Sequence, residues 1–135
     1  DSLKKKAGKM NNVYFPGWID RSKIKVLAKN SLAALAPYKN IDNFMVNTPN
    51  KIVDALSLGL PILSPLRGEV KGLIDKYKIG FTYVDNLEKC IMKLIKDEKL
   101  QIALSKNSIT LYKEQFDFNQ VYDDFVIHME KMANE

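Results

Sequence analysis

The chain has 135 residues, which suits one domain, and 46% of them are hydrophobic, enough to build a core. The single cysteine excludes an internal disulfide and a metal site made of cysteines alone, and no apolar run approaches the ~18 residues that span a bilayer. The net charge of +5 is uneven, because residues 1–30 hold eight Lys or Arg against two Asp. Such a basic segment indicates either a solvated helix face or a surface that meets an acidic partner such as anionic lipid.

The first quarter of the chain predicts helices and strands in alternation. A basic helix over residues 2–10 precedes a strand at Val13–Phe15. Asp20 is a suitable N-cap for a helix over about 21–30. The continuous apolar run from Leu32 to Ala36 is typical of a strand buried on both faces, as in a parallel sheet. The helix predicted over about 21–30 has four apolar positions: Ile24, Val26, Leu27 and Ala28.

Two polar loops, residues 37–47 and 65–68, flank the centre of the chain, and polar loops after buried strands are frequent ligand sites in α/β folds. The second half continues the alternation, which predicts a parallel sheet with helices on both faces. The predicted elements are a helix over 69–77, a strand over 80–83, a helix over 86–97 capped by Asp85, and helices over 98–113 and 118–133.

The stretch from Asn47 to Leu63 organises this pattern. We predict that Thr48 caps a helix and that Pro49 occupies its first position, where a missing N–H costs nothing. Gly59 can adopt the left-handed conformation that ends a helix. Residues Pro61–Leu63 are then predicted to form a short buried strand with proline at its first residue.

Three polar residues, Asn50, Lys51 and Asp54, fall in the first turns of this helix. Their spacing of three and four residues places them together at one end of the helix. Free N–H groups and the positive end of the helix dipole suit phosphate there, and Lys51 adds a full charge. The alternative is a capped surface helix with one ion pair between Lys51 and Asp54.

The residues Pro49-Asn50-Lys51 and the following run from Asp54 to Ile62 resemble the nucleotide-sugar motif of family 4 (group 1) glycosyltransferases. The resemblance extends from about Asn12 to about Phe118 and therefore covers most of the chain. It implies a Rossmann-like domain that forms the C-terminal, donor-binding half of a GT-B fold.

The resemblance also implies roles for individual residues. Asp54 would accept hydrogen bonds from the ribose of a UDP- or GDP-linked sugar, and Lys51 would be catalytic by stabilising the charge that builds on the diphosphate. No metal or cofactor is expected besides this donor substrate. The expected donor-binding residues are Gly17 in the Pro16-Gly17 turn, Tyr38 in the first polar loop, Thr48, Asn50, Lys51 and Asp54.

The chain departs from the family in two ways. Many members bind the donor with two Glu, but here Val46 stands where the first would be, which leaves the contact to the sugar ring open. The N-terminal acceptor domain and the first two β–α units are also missing, so we interpret residues 1–135 as a single-domain fragment that is inactive alone. The resemblance implies a cytoplasmic protein that takes part in the synthesis of bacterial surface polysaccharide and associates peripherally with the inner face of the membrane.

The sequence leaves two other classes of function open. One is a non-enzymatic Rossmann-like interaction or regulatory module, since a fold does not fix a function. The other is a nucleic-acid binder, which we disfavour because the aromatic residues are not interleaved with Lys and Arg. His128 is interpreted as structural, because no cysteine or second histidine accompanies it to form a metal site. Cys90 is interpreted as a core residue, because it lies inside an amphipathic helix and not in an open, electropositive setting.

Overall fold

The computed structural model describes residues 2–134, which form a mixed α/β structure that is 60% helical. In chain order its elements are α1 (Ser2–Ala7), α2 (Arg21–Lys29), β1 (Ala34–Leu35), α3 (Asp42–Met45), α4 (Asn50–Ser57), β2 (Ile62–Ser64), α5 (Glu69–Tyr77), β3 (Gly80–Thr82), α6 (Leu87–Lys96), α7 (Glu98–Gln115) and α8 (Phe118–Ala133).

The sheet contains three parallel strands in the order β1-β2-β3, with Ala34 opposite Ile62 and Ile62 opposite Gly80. Parallel neighbours need long crossover connections, and helices provide them here. This arrangement confirms the parallel sheet flanked by helices that the alternation of elements predicts.

Apolar side chains pack on both faces of the central strand β2. Ile62 belongs to a cluster with Ile52 and Leu56 of α4, whereas its neighbour Leu63 belongs to a second cluster with Leu94 of α6. Successive residues of a strand point to opposite faces, so the two clusters lie on opposite sides of the sheet. All three residues of β2 are buried, as expected for a strand covered from both sides.

The close contact between α4 and α7 depends on Gly59. This residue has φ of +69°, and a Cβ there would lie 2.9 Å from the Cδ1 atom of Ile109. The hydroxyl of Ser105 donates to the carbonyl of Gly59 at 2.6 Å, and that of Ser108 donates to the carbonyl of Leu60 at 3.2 Å. The prediction that Gly59 ends the helix is therefore confirmed, with Leu58 as the C-cap.

Two strand predictions need correction. Val13–Phe15 is not a strand, because none of the strands within residues 2–134 pairs with it to supply the hydrogen bonds that a β-prone segment requires. The run Leu32–Ala36 contributes only Ala34–Leu35, and Leu35 is 52% exposed, so this strand is not buried on both faces. It lies at the edge of the described sheet, where one side has no neighbour in residues 2–134.

Helix starts agree with the sequence in part. Asp20 caps α2 as predicted, with its carboxylate accepting from the backbone N–H of Lys23 at 2.9 Å. Asp85 does not cap α6, which begins at Leu87 with Asn86 in the N-cap position. The side chain of Asn86 accepts instead from the N–H of Val84 at 3.4 Å, within the turn that precedes the helix.

Three helices bury almost none of their apolar side chains. Helices α1 and α8 bury no residue, and α2 buries only Ala28. The helical stripe predicted on α8 is exposed throughout: Val121, Tyr122, Phe125, Met129 and Met132. Within residues 2–134, none of the helices combines the length and apolar character that crossing a bilayer requires.

Candidate functional site

Two loops meet at the edge of the sheet where the parallel strands end. Residues 37–49 follow β1 and residues 65–68 follow β2, and the side chain of Asn40 joins them. Its Nδ2 atom donates to the carbonyl of Pro65 at 2.8 Å, and its Oδ1 atom accepts from the N–H of Arg67 at 2.7 Å. The buried hydroxyl of Ser64 adds a bond to the carbonyl of Ala36 at 3.0 Å. The loops are therefore held together at the edge where α/β proteins bind ligands.

Gly68 allows the two loops to approach closely. Its φ is +66°, and a Cβ at this position would lie 2.2 Å from the carbonyl oxygen of Met45. Only glycine tolerates both this conformation and this contact. Met45 ends the short helix α3, which forms within the segment predicted to be a loop.

The start of α4 differs from the prediction by one residue. Pro49 is the N-cap, with φ of −60° and ψ of 141°, and its carbonyl accepts from the N–H of Ile52 at 2.8 Å. No side chain caps the helix, so the prediction that the Thr48 hydroxyl does so is wrong. The N–H groups of Asn50 and Lys51, which precede Ile52, consequently have no side-chain acceptor, which leaves them for solvent or a ligand.

Lys51 and Asp54 are both exposed on α4. The ion pairs within residues 2–134 are Lys23–Asp20 and Lys71–Asp75, so Lys51 and Asp54 are not paired with each other. The alternative of a surface helix closed by a Lys51–Asp54 pair therefore does not describe the structure. Asn50, the first residue of α4, is also exposed and lies one turn before Asp54.

The side chain of Asp54 lines a cleft between α2 and α4, which we call the α2–α4 cleft. Its volume is ≈ 610 Å³, and the basic residues Arg21 and Lys25 of α2 line it together with Asp54. Its remaining lining residues are Ile24, Ser57, Leu58 and Tyr112. This size lies within the range of small-molecule sites.

A second depression of ≈ 510 Å³ continues the α2–α4 cleft towards α8. The two share Arg21, Asp54, Ser57 and Tyr112. The added walls are mostly aromatic: Phe116, Phe118 and Tyr122, with Val53 and Val121. Asp54 therefore lies at the junction of a cationic half and an aromatic half of one groove.

Of the predicted residues, only Asp54 lines this groove; Thr48, Asn50, Lys51, Gly17 and Tyr38 do not. Gly17 is exposed in the segment before α2, with φ of +71° and no atom within 4 Å of a Cβ built on it. Tyr38 is half-buried, and its ring lies 5.0 Å from that of Phe44 and packs against the core. Its ring contacts give Tyr38 a structural role in anchoring the edge loop.

The groove has the chemistry to hold an anion that also carries hydroxyl groups. Arg21 and Lys25 can pair with negative charge, whereas Asp54 can accept hydrogen bonds from hydroxyls. No pattern in the sequence pointed to Arg21, Lys25 or Tyr112, because only the packing of α2 and α7 beside α4 brings them to Asp54. A further cleft of ≈ 580 Å³ beside α6 contains none of the predicted residues.

Metal binding has no support in the described part of the chain, where no group of three His, Cys, Asp or Glu side chains lies close enough to hold an ion. His128 is exposed on α8, whereas Cys90 is buried in the core, as predicted. The chain was also compared with known families and proteins. No family model, curated protein or solved structure matches it.

Proposed function

We propose that this chain is the donor-binding portion of a glycosyltransferase that moves a sugar from a nucleotide-diphosphate sugar to an acceptor. In this proposal the three-stranded sheet is part of a Rossmann-like domain, one half of a GT-B fold. The acceptor would bind to a separate domain, and the isolated chain would transfer no sugar.

The observation that carries the proposal is the position of Asp54. The helix that holds the glycosyltransferase-like motif lies between two parallel strands, and Asp54 on that helix faces a cleft with two basic side chains. Capping alone would account for a proline and a glycine at the ends of α4, but not for an unpaired carboxylate beside Arg21 and Lys25.

The proposed binding mode places the diphosphate outside the groove, at the start of α4, and the ribose in the groove at Asp54. The diphosphate lies at the uncapped start of α4, with the Lys51 ammonium beside it and the N–H groups of Asn50 and Lys51 as donors. The ribose hydroxyls donate to Asp54. These fixed charges stabilise the negative charge that grows on the leaving diphosphate, and this is the contribution to catalysis that we assign to Lys51.

Replacing Lys51 tests the phosphate assignment. Lys51→Ala should weaken binding of UDP or GDP by about ten- to a hundred-fold, the worth of a charge-assisted contact, and should leave nucleoside binding unchanged. Calorimetry with the diphosphate and the nucleoside measures both values, and Lys99→Ala on α7 is the matched control. Equal losses for the two ligands would remove Lys51 from the phosphate.

Replacing Asp54 tests the ribose assignment. Asp54→Asn should cost about 1–2 kcal/mol of affinity for a ribonucleotide and much less for the 2′,3′-dideoxy form, which lacks the donors. Asp124→Asn on α8 is the control for a change of charge. A mutant that loses the same affinity for both ligands would show that Asp54 does not contact the ribose.

The competing function is a non-enzymatic interaction or regulatory module. Nucleotide binding distinguishes the two functions, because such a module is not expected to bind nucleotides. If neither UDP nor GDP binds the intact chain at millimolar concentration, the glycosyltransferase proposal fails and the module remains.

A further inference from the structure

Residues 2–29 combine a strong positive charge with exposed apolar side chains. We propose that this segment, which we call the basic segment, binds the surface of an anionic lipid membrane. This proposal does not depend on the glycosyltransferase function and requires no nucleotide.

The charge of the basic segment is concentrated and accessible. It holds eight Lys or Arg residues and one acidic residue, Asp20. The carboxylate of Asp20 caps α2 and lies 3.5 Å from the ammonium group of Lys23. Lys4, Lys5 and Lys6 lie on α1, which buries no residue. Clusters of four to eight basic residues are typical of segments that bind anionic headgroups.

Large apolar side chains of the same segment face solvent. Trp18 is 90% exposed and Tyr14 is 83% exposed, and Leu3, Met10 and Val13 are exposed as well. Pro16 and Ile19 line a shallow apolar depression of ≈ 410 Å³ with Val26 and Leu27 of α2. An isolated surface residue would need no explanation, but these residues are grouped in one stretch of chain.

The order of the side chains favours a membrane over a nucleic acid. Tyr14, Phe15 and Trp18 form one apolar group between two basic groups, residues 4–9 and 21–29. Nucleic-acid grooves distribute aromatic residues among their cations so that successive bases can stack. Aliphatic residues such as Leu3 and Met10 offer bases no aromatic face to stack on.

Each part of the segment then matches one layer of the bilayer surface. Trp and Tyr are favoured at the level of the lipid headgroups, where an apolar ring and a polar N–H or O–H are both satisfied. Lysine side chains can bury their alkyl stems while the ammonium groups reach lipid phosphates. Apolar contact and electrostatic attraction therefore act together.

The one tryptophan of the sequence, Trp18, reports directly on this contact. The 135-residue chain is mixed with vesicles of phosphatidylglycerol and phosphatidylcholine, with vesicles of phosphatidylcholine alone, and with duplex DNA. We expect co-sedimentation and a blue shift of Trp18 emission only with the anionic vesicles. Binding to DNA without a blue shift in anionic vesicles would overturn the proposal in favour of a nucleic-acid surface.

Variants separate the two contributions. Lys4→Glu, Lys5→Glu and Lys6→Glu together should weaken vesicle binding by at least about a hundred-fold, since each cation near an anionic surface contributes about a factor of five. The same reversal at Lys96, Lys99 and Lys106, exposed on α6 and α7, should have little effect. Equal losses in both triple variants would indicate a response to net charge only and would contradict a localised surface.

Replacement of Tyr14 and Phe15 by serine should reduce vesicle binding while every charge remains. Both side chains are outside the core clusters, so far-ultraviolet circular dichroism should be unchanged. Unaltered binding of this variant, or binding to phosphatidylcholine alone that equals binding to anionic vesicles, would contradict the combined mode.

Discussion

The central residues 32–116 and the two ends of the described chain, residues 2–31 and 117–134, use their apolar residues differently. The buried residues of both core clusters lie between Ala36 and Leu111, whereas the ends bury only Ala28. Yet α8 also carries apolar residues at helical spacing, all of them exposed. Periodicity therefore marks a face that is able to pack, but it does not supply the surface that covers this face. The central helices have the sheet beneath them.

The largest expected effect is on the free energy of unfolding, when one side chain from each region is replaced by alanine. Leu56 on α4 is fully buried between α4 and the sheet, so Leu56→Ala should lower the free energy of unfolding by about 2–5 kcal/mol. Val126→Ala on α8, where Val126 is 50% exposed, should change it by less than about 0.5 kcal/mol. Urea denaturation of the two variants measures both values. Similar losses would show that α8 packs in solution and would remove the contrast.

A smaller effect on stability is expected when either of two glycines of the central region, Gly80 or Gly72, is replaced by alanine. A Cβ at Gly80 would lie 1.9 Å from the carbonyl oxygen of Ile62 in the neighbouring strand, so Gly80→Ala should destabilise the protein by about 1–3 kcal/mol. Gly72, in the middle of α5, has no atom within 4 Å of such a Cβ. Gly72→Ala should therefore be stabilising by about 0.5–1 kcal/mol. Thermal unfolding of both variants gives the sign, and destabilisation by Gly72→Ala would contradict the open space described at that position.

The smallest effect concerns Asp20, which begins α2 at the boundary of the basic segment. Hydrogen bonds from the Ser22 hydroxyl and the Lys23 N–H lower the pKa of this carboxyl below its ordinary value. A lowered folded-state pKa means that the contribution of Asp20 to stability is present above the unfolded-state pKa and is lost as pH falls through the folded one. We expect the amide resonance of Lys23 to report this titration by NMR, and Asp20→Ser to abolish it while α2 persists. A titration above the ordinary value would contradict the cap.

The sequence predicts the elements well where local signals and packing agree. Asp20 begins α2, Gly59 follows α4, and the helices over 69–77 and 118–133 lie where periodicity places them. The strand expected at Val13–Phe15 fails because strand preference depends on a neighbouring strand, which the structure does not offer there. Thr48 fails as a cap because proline fixes only φ, and Pro49 keeps an extended ψ and takes the N-cap position itself.

The candidate site shows the same limit. Asn50, Lys51 and Asp54 were found from spacing along one helix, which is local information. Arg21 and Lys25 were not, since they come from α2 and meet Asp54 only through the packing of the folded chain. Gly17 and Tyr38 came from the resemblance alone, and they lie outside the groove, as do Asn50 and Lys51.

The bridge made by Asn40 has a consequence for the timing of any binding event. Its amide holds the loops after β1 and β2 at two points, so neither can swing open without breaking both hydrogen bonds. The conformational entropy of these loops is therefore lost when the chain folds and not when a ligand arrives. A ligand at this edge would meet two loops that are already joined, so less of their ordering would be charged against its affinity.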